Sequence, residues 1–146
     1  MEDEPSLSAE EIKKAVTEKL EGYKDLSFLE QYAMFMGKAQ ILELGLKGLL
    51  TRKYGVPFEA MSRWTLGRVK NELSQRGLRQ DFIAYLDSVA DYRNYIAHEL
   101  LVDNALTRSI ANFSGRKLYG NLYRGIYELE QIIILYDWCE EHNGWD

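Results

Sequence analysis

The sequence predicts an all-α protein, an up-and-down helical bundle of four to five helices. Three observations carry that prediction. Only two prolines, Pro5 and Pro57, occur in 146 residues, so long helices can run almost unbroken. Apolar residues recur at spacings of three and four in each long segment, the period of one helix face. Nowhere do two alternating apolar runs flank an Asn-Gly or Asp-Gly turn, so strand hairpins have no signal.

Taken in order, the first helix is expected from Ala9 to about Tyr23. Ser8 followed by Glu11 forms a capping-box pattern, and Ile12, Val16 and Leu20 make one apolar stripe. Ser27 and Glu30 repeat the pattern before a second helix that should reach Lys53, with Gly55 as its stop. Its broad apolar face holds Phe28, Tyr32, Phe35, Met36, Ala39, Leu42, Leu46, Leu49 and Leu50. Val56 to Trp64 reads as a connection. Thr65 can cap a short third helix that ends near Gly77 and carries Leu66, Val69 and Leu73. A fourth helix spans about Gln80 to Leu101. Asp103 to Gly115 is less periodic and reads as a loop. The last helix, Leu118 to His142, carries Leu122, Ile126, Leu129, Ile133 and Tyr136, and Asn143-Gly144 stops it.

The length suits one domain able to bury a substantial core. Residues 1–7 read as a disordered acidic N-terminus and 8–146 as the domain. A single cysteine, Cys139, allows no internal disulfide and fits a reducing compartment. No apolar run approaches the ~20 residues needed to span a bilayer. Met1-Glu2-Asp3-Glu4 is acidic where a secretory signal is basic. A cytoplasmic protein without membrane partners is therefore expected. The net charge of −5 argues against a general nucleic-acid coat, which needs many phosphate contacts, but permits a local basic cleft. Arg63, Arg68, Lys70, Arg76, Arg79, Arg108, Arg116 and Lys117 read first as solvated surface, and second as a shared RNA-facing patch.

The fourth helix carries the functional signal. Phe82, Leu86, Val89, Ile96 and Leu100 alternate at spacings of four and three, a seam meant for burial. Position 93 belongs to that seam and holds an arginine. A guanidinium there must snorkel out, meet a carboxylate or face a cleft. The second helix has a matching oddity, Glu43 within its apolar arc, and the two charges are expected to pair. His98 lies five residues beyond Arg93, about 140° around an ideal helix, so the two do not share a face. Asn94 sits one turn before His98, within reach of its ring. A symmetric dimer with two such helices across its axis would supply both groups twice.

The string Arg93-Asn94-Tyr95-Ile96-Ala97-His98, R-N-x-x-x-H near the end of a long helix, resembles the signature of HEPN domains (higher eukaryotes and prokaryotes nucleotide-binding). Leu42 to Leu50 looks like the family's second helix, and Thr65-Leu66-Gly67-Arg68-Val69 like the short helix opening before the motif helix in several bacterial members. The likeness covers residues 8 to 142. It implies a metal-independent RNA endonuclease, often the toxin of a toxin–antitoxin or phage-defence system, with no cofactor, an RNA substrate, a homodimer and a cognate antitoxin as partners. By that resemblance His98 is the general acid/base, Arg93 holds the scissile phosphate and offsets its growing charge, and Asn94 orients either side chain. Glu43 supports Arg93, and Tyr95, Arg68 and Arg63 are candidate RNA contacts. The chain departs from one subgroup, which carries a tyrosine two residues after the histidine. Leu100 stands there, so regulation through that tyrosine has no support.

Plainer readings stand beside these. Taken alone, His98 is a helix-end histidine, and Arg93 a structural member of an ion pair. Tyr92 and Tyr95 read as packing before RNA stacking. His142 reads as a favourable positive end for the last helix. Cys139, His98 and His142 lack metal-ligand spacing, and Asp87 with Asp91 reads as a solvated face before a cation site. The alternative to the nuclease is a non-catalytic HEPN-fold interaction or regulatory module, since a fold does not dictate a function.

Overall fold

Helix ends in this chain are set by short-range chemistry. The computed structural model describes residues 7–100 and 116–146, and among them are five α-helices and no strand. They are α1 (Ala9–Glu21), α2 (Phe28–Tyr54), α3 (Leu66–Gln75), α4 (Gln80–Tyr95) and α5 (Arg116–His142). Ser8 Oγ accepts from the Glu11 N–H at 3.1 Å and opens α1. Ser27 and Glu30 close a complete capping box on α2, side chain to backbone in both directions. Gly55, at φ 71°, ends α2 in the left-handed conformation that glycine adopts without strain. Asn143, at φ 50°, does the same after α5, and the Gly144 N–H returns to the Cys139 carbonyl at 2.9 Å.

Several expectations change. Leu7 packs against the core, so the expected tail does not extend to it; the expectation for residues 1–6 lies outside the described residues, as does the loop expected at Asp103 to Gly115. Thr65 takes the N-cap position of α3 with extended backbone, but its side chain makes no capping bond. The connection after α2 contains one 3₁₀ turn, Phe58–Met61. Most consequentially, α4 stops at Tyr95 and continues as a single π turn, Ile96–Leu100.

The last helix is the hub, with α1, α2 and α4 packed around it. Contacts fix the directions. Lys38, Gly45 and Arg52 of α2 meet Glu130, Tyr136 and Glu140 of α5 in rising order, so the two helices run parallel. Arg79 before α4 bonds the Gly144 carbonyl, while Tyr95 and Ile96 at its other end meet Asn121 and Gly125, so α4 is antiparallel to α5. Lys70 to Asp87 and Arg76 over Tyr54 place α3 antiparallel to α4 and parallel to α2. Strict up-and-down alternation therefore fails between α2 and α3. After Gly55 the chain doubles back through the Phe58–Met61 turn before α3 begins.

The core runs through all five helices, with Phe35, Leu46, Met61, Leu73, Phe82 and Leu122 fully buried. Within it lies one carboxylate. Glu130 on α5 is 1% exposed and accepts from the Tyr23 hydroxyl at 2.6 Å and from the Lys38 ammonium. A carboxylate at that depth persists only when its oxygens are satisfied. Three segments, the turn after α1, the middle of α2 and the middle of α5, are thereby tied at one point.

The C-terminus is fastened as well. Trp145 is buried, edge-on to Phe82 at 5.0 Å and to Tyr136 at 5.5 Å. Arg79 donates from its backbone to the Trp145 carbonyl and from its guanidinium to the Gly144 carbonyl, while Asp81 holds the guanidinium from the other side. Arg79 also donates toward the buried Cys139 sulfur at 3.4 Å. Trp145→Ala is expected to cost about 3–5 kcal/mol, as for other buried aromatics, read as a lower urea midpoint.

Lys38→Met leaves Glu130 buried with one hydroxyl and is expected to cost about 3 kcal/mol, while Lys38→Met with Glu130→Leu recovers most of that loss. Urea unfolding of both variants measures it. Burial, reinforced by the Glu130 bond and charge, pushes the Tyr23 hydroxyl pKa up. A tyrosine of the unfolded chain ionises near pH 10, so the contribution of Tyr23 is complete below that pH and falls as pH rises above it. The stability gap between wild type and Tyr23→Phe should shrink from pH 9 to pH 11.

Candidate functional site

The R-N-x-x-x-H string straddles a change of helix type. Arg93, Asn94 and Tyr95 end α4, while Ile96, Ala97 and His98 lie on the π turn. Such turns are rare and recur at functional sites. The π pattern bonds residue i to i+5, so each residue turns by less than the α-helical 100°. The separation of about 140° expected for Arg93 and His98 on a straight helix is thereby narrowed.

Two contacts hold this segment on α5. Ile96 is fully buried and lies over Gly125, where an added Cβ would sit 2.7 Å from Ile96 Cδ1 and 3.3 Å from the Phe35 ring. Gly125 thus lets the motif helix approach α5 at a distance no other residue allows. Asn121 Nδ2 donates to the Tyr95 hydroxyl at 3.0 Å. Tyr92 and Tyr95 pack against the core from its edge, so packing accounts for both. Together with Ser88, Asp91 and Asn121 they line a shallow groove of about 530 Å³ between α4 and α5.

The seam reading of α4 holds at Phe82, Leu86, Val89 and Ile96, all fully buried. Arg93, the charged member, is half-buried at the seam's edge, and its guanidinium has no ion pair or hydrogen bond to any described residue. The expected pairing with Glu43 does not form. Glu43 binds Lys47 one turn along α2 at 3.4 Å and lines a different groove, beside Leu44 and Phe58. Proximity along one helix satisfied the carboxylate more cheaply than reaching across the bundle. Asn94 and His98 are exposed.

Among the described residues, four of the basic side chains are already engaged by acids. Lys70 pairs with Asp87, Arg76 with Glu72, and Arg79 with Asp81. Arg68 pairs with Glu72 and stacks over Trp64 at 4.7 Å. Each of these cations already has an acidic neighbour, which weakens its pull on a phosphate. Arg63 is exposed and has no such partner among the described residues. Arg108 lies outside the described residues. The Lys70 pair also accounts for Asp87, leaving Asp91 exposed at the groove. Among the described residues no three His, Cys, Asp or Glu side chains gather as a metal site. His142 stacks on Trp138 at 4.6 Å in the last turn of α5, a structural position.

Glu130, Lys38 and Tyr23 were not singled out from sequence, although the signal was there. Glu130 follows Ile126 by four residues within an apolar stripe, the same kind of misplacement that marks Arg93. Asn121 carried no signal, because its role depends on meeting Tyr95 across 26 residues. Comparison of the chain with protein-family models, with curated proteins and with solved structures returned no match.

Gly125→Ala is expected to destabilise the fold by about 1–3 kcal/mol through overpacking, despite alanine's better helix propensity. Ile96 is fully buried, so its Cδ1 has to shift within a packed core to make room. Thermal unfolding of Gly125→Ala beside Gly120→Ala, where a Cβ meets nothing within 4 Å, separates crowding from propensity.

Proposed function

We propose that this protein is a metal-independent RNA endonuclease of the HEPN type, acting in the cytoplasm as a toxin or phage-defence effector. The observation that carries the reading is Arg93. It is a half-buried guanidinium without a counter-ion among the described residues, one turn before a π turn that presents an exposed imidazole. A half-buried guanidinium with no ion pair among the described residues attracts an oxyanion, and its planar fork matches two phosphate oxygens.

In this reading Arg93 binds the scissile phosphate and stabilises charge that grows on its oxygens. His98 takes the proton of the ribose 2′-hydroxyl as that oxygen attacks phosphorus. The bond from phosphorus to the 5′-oxygen breaks, and that oxygen leaves with a proton from an imidazolium. The products are a 2′,3′-cyclic phosphate and a 5′-hydroxyl, and DNA, lacking the attacking hydroxyl, is not cut. Asn94, exposed between the two, orients either group. A homodimer contributing Arg93 and His98 twice supplies both base and acid. Tyr95 and Arg63 are the nearest candidates for further RNA contact. Arg68 is the weaker one, since Glu72 and Trp64 already engage it. A cognate antitoxin would restrain such an enzyme.

The second reading, a non-catalytic interaction or regulatory module of the same fold, is favoured by one observation. Even with the π turn, Arg93 and His98 leave one helix in different directions, so a single chain does not bring them together.

RNA cleavage by the purified protein in EDTA tests the proposal. Wild type should cut several RNAs, and His98→Ala and Arg93→Ala should each lose at least about a hundredfold in rate, the usual share of one acid/base or oxyanion-binding group, while keeping their helical circular dichroism. Well-folded wild type that cuts no RNA would transfer support to the interaction module.

A further inference from the structure

The buried carboxylate of Glu130 is answered on one oxygen only. Tyr23 and Lys38 both bind its Oε1, and Oε2 meets no donor among the described residues. A carboxylate offers about four lone-pair sites, and at a residue 1% exposed an acceptor without a donor carries a desolvation cost. Glu130 also lines a cleft of about 270 Å³ between α1, α2 and α5. Ile41 and Leu42 of α2 and Ile133 of α5 form its apolar wall, with Ile41 70% exposed at the opening. Asp137 lines the same cleft, exposed and with no hydrogen bond or ion pair among the described residues. Residual burial raises the Asp137 pKa, and the charges of Glu141, Glu130 and Glu140 raise it further against the opposing pull of Lys19. Negative charge is therefore already in excess around it. Glu130, Ile133 and Asp137 are spaced by three and four, one face of α5, and the two acids lie about 10 Å apart along its axis at 1.5 Å per residue.

We infer that this cleft binds a linear aliphatic diamine. One ammonium donates to Glu130 Oε2, the other to Asp137, and the methylene chain lies along Ile41, Leu42 and Ile133. Spacing sets the length. Extended 1,4-diaminobutane holds its nitrogens roughly 6 Å apart, from bonds near 1.5 Å. A hydrogen bond of about 2.9 Å at each end takes its reach to roughly 12 Å, enough to cover the rise from Glu130 to Asp137. Volume agrees, because a dry cavity of about 150 Å³ already holds benzene, a molecule with as many heavy atoms as this diamine. Charge favours a second ammonium over other end groups. Lys38 is committed to Oε1, and Lys19, the other cation on the cleft, is exposed to water. A monoamine answers only one of the two acids, and a zwitterion brings its own carboxylate beside Asp137 and Glu141. The cleft shares no residue with the groove beside the motif, so the inference does not rest on the nuclease reading.

Isothermal titration calorimetry of the full chain with 1,4-diaminobutane, at constant pH and ionic strength, should show saturable binding at one site. n-Butylamine, which has the same carbon chain and one ammonium, should bind about threefold more weakly, the weight of an exposed ion pair. Asp137→Asn should weaken the diamine by a similar factor. Glu130→Gln should weaken it at least about tenfold, the weight of a hydrogen bond to a charged group, with helical circular dichroism confirming that the variant folds. Should Glu130→Gln fail to fold, Asp137→Asn and the n-butylamine comparison decide the matter, since Asp137 is exposed. Glu59→Gln, an exposed acid on the Phe58–Met61 turn, should leave binding unchanged. No saturable binding at millimolar diamine, equal affinity for n-butylamine, or equal losses in Glu59→Gln and Asp137→Asn would each overturn the inference. The last two results mark diffuse attraction of cations to an acidic chain.

Discussion

The fold turns on one buried carboxylate. Glu130 is almost completely removed from water, and an ion in that position costs several kcal/mol unless its oxygens are answered. The Tyr23 hydroxyl and the Lys38 ammonium both bind its Oε1. Since those partners come from the turn after α1 and the middle of α2, the requirement dictates where both helices stand against α5. Apolar burial drives the bundle together without preferring a register. A hydrogen-bonded ion at its centre prefers one.

Around that point α5 organises the rest, and it does so by differences in side-chain size. At Gly125 the absence of a Cβ lets Ile96 and Phe35 close over the backbone, which fixes the level at which the motif helix meets α5. At the far end Trp145 folds back between Phe82 and Tyr136, and Arg79 binds the backbone beside it. The motif segment is therefore anchored at Ile96 and Tyr95, while its polar members Asn94 and His98 remain in solvent.

Helix α2 divides its labour by face. One side supplies the core, and Lys38 at its edge supplies the counter-charge for Glu130. The other side carries Met34, Ile41 and Leu44 into solvent. Its apolar residues point in more than one direction around the helix, which is why its sequence looks broadly apolar and not sharply amphipathic. Glu43 belongs to this divided helix, and its bond to Lys47 shows a local charge pair forming where a cross-bundle pair was expected.

What the sequence by itself determined is the set of local elements. Capping boxes at Ser8 and Ser27, the stops at Gly55 and Asn143-Gly144, and the spacing of apolar residues all act within a few residues of themselves, so they are legible in a string. The misplaced arginine at position 93 was legible for the same reason. Tertiary structure alone decided the partners that lie far apart in sequence. It left Glu43 to its local partner Lys47 and not Arg93, brought Lys70 to Asp87 from the next helix, and placed Asn121 under Tyr95. It also turned the end of the fourth helix into a π turn and broke the alternation between α2 and α3. Each of these outcomes depends on which surfaces meet once the chain has collapsed. The competing partners lie tens of residues apart, and no local pattern ranks them.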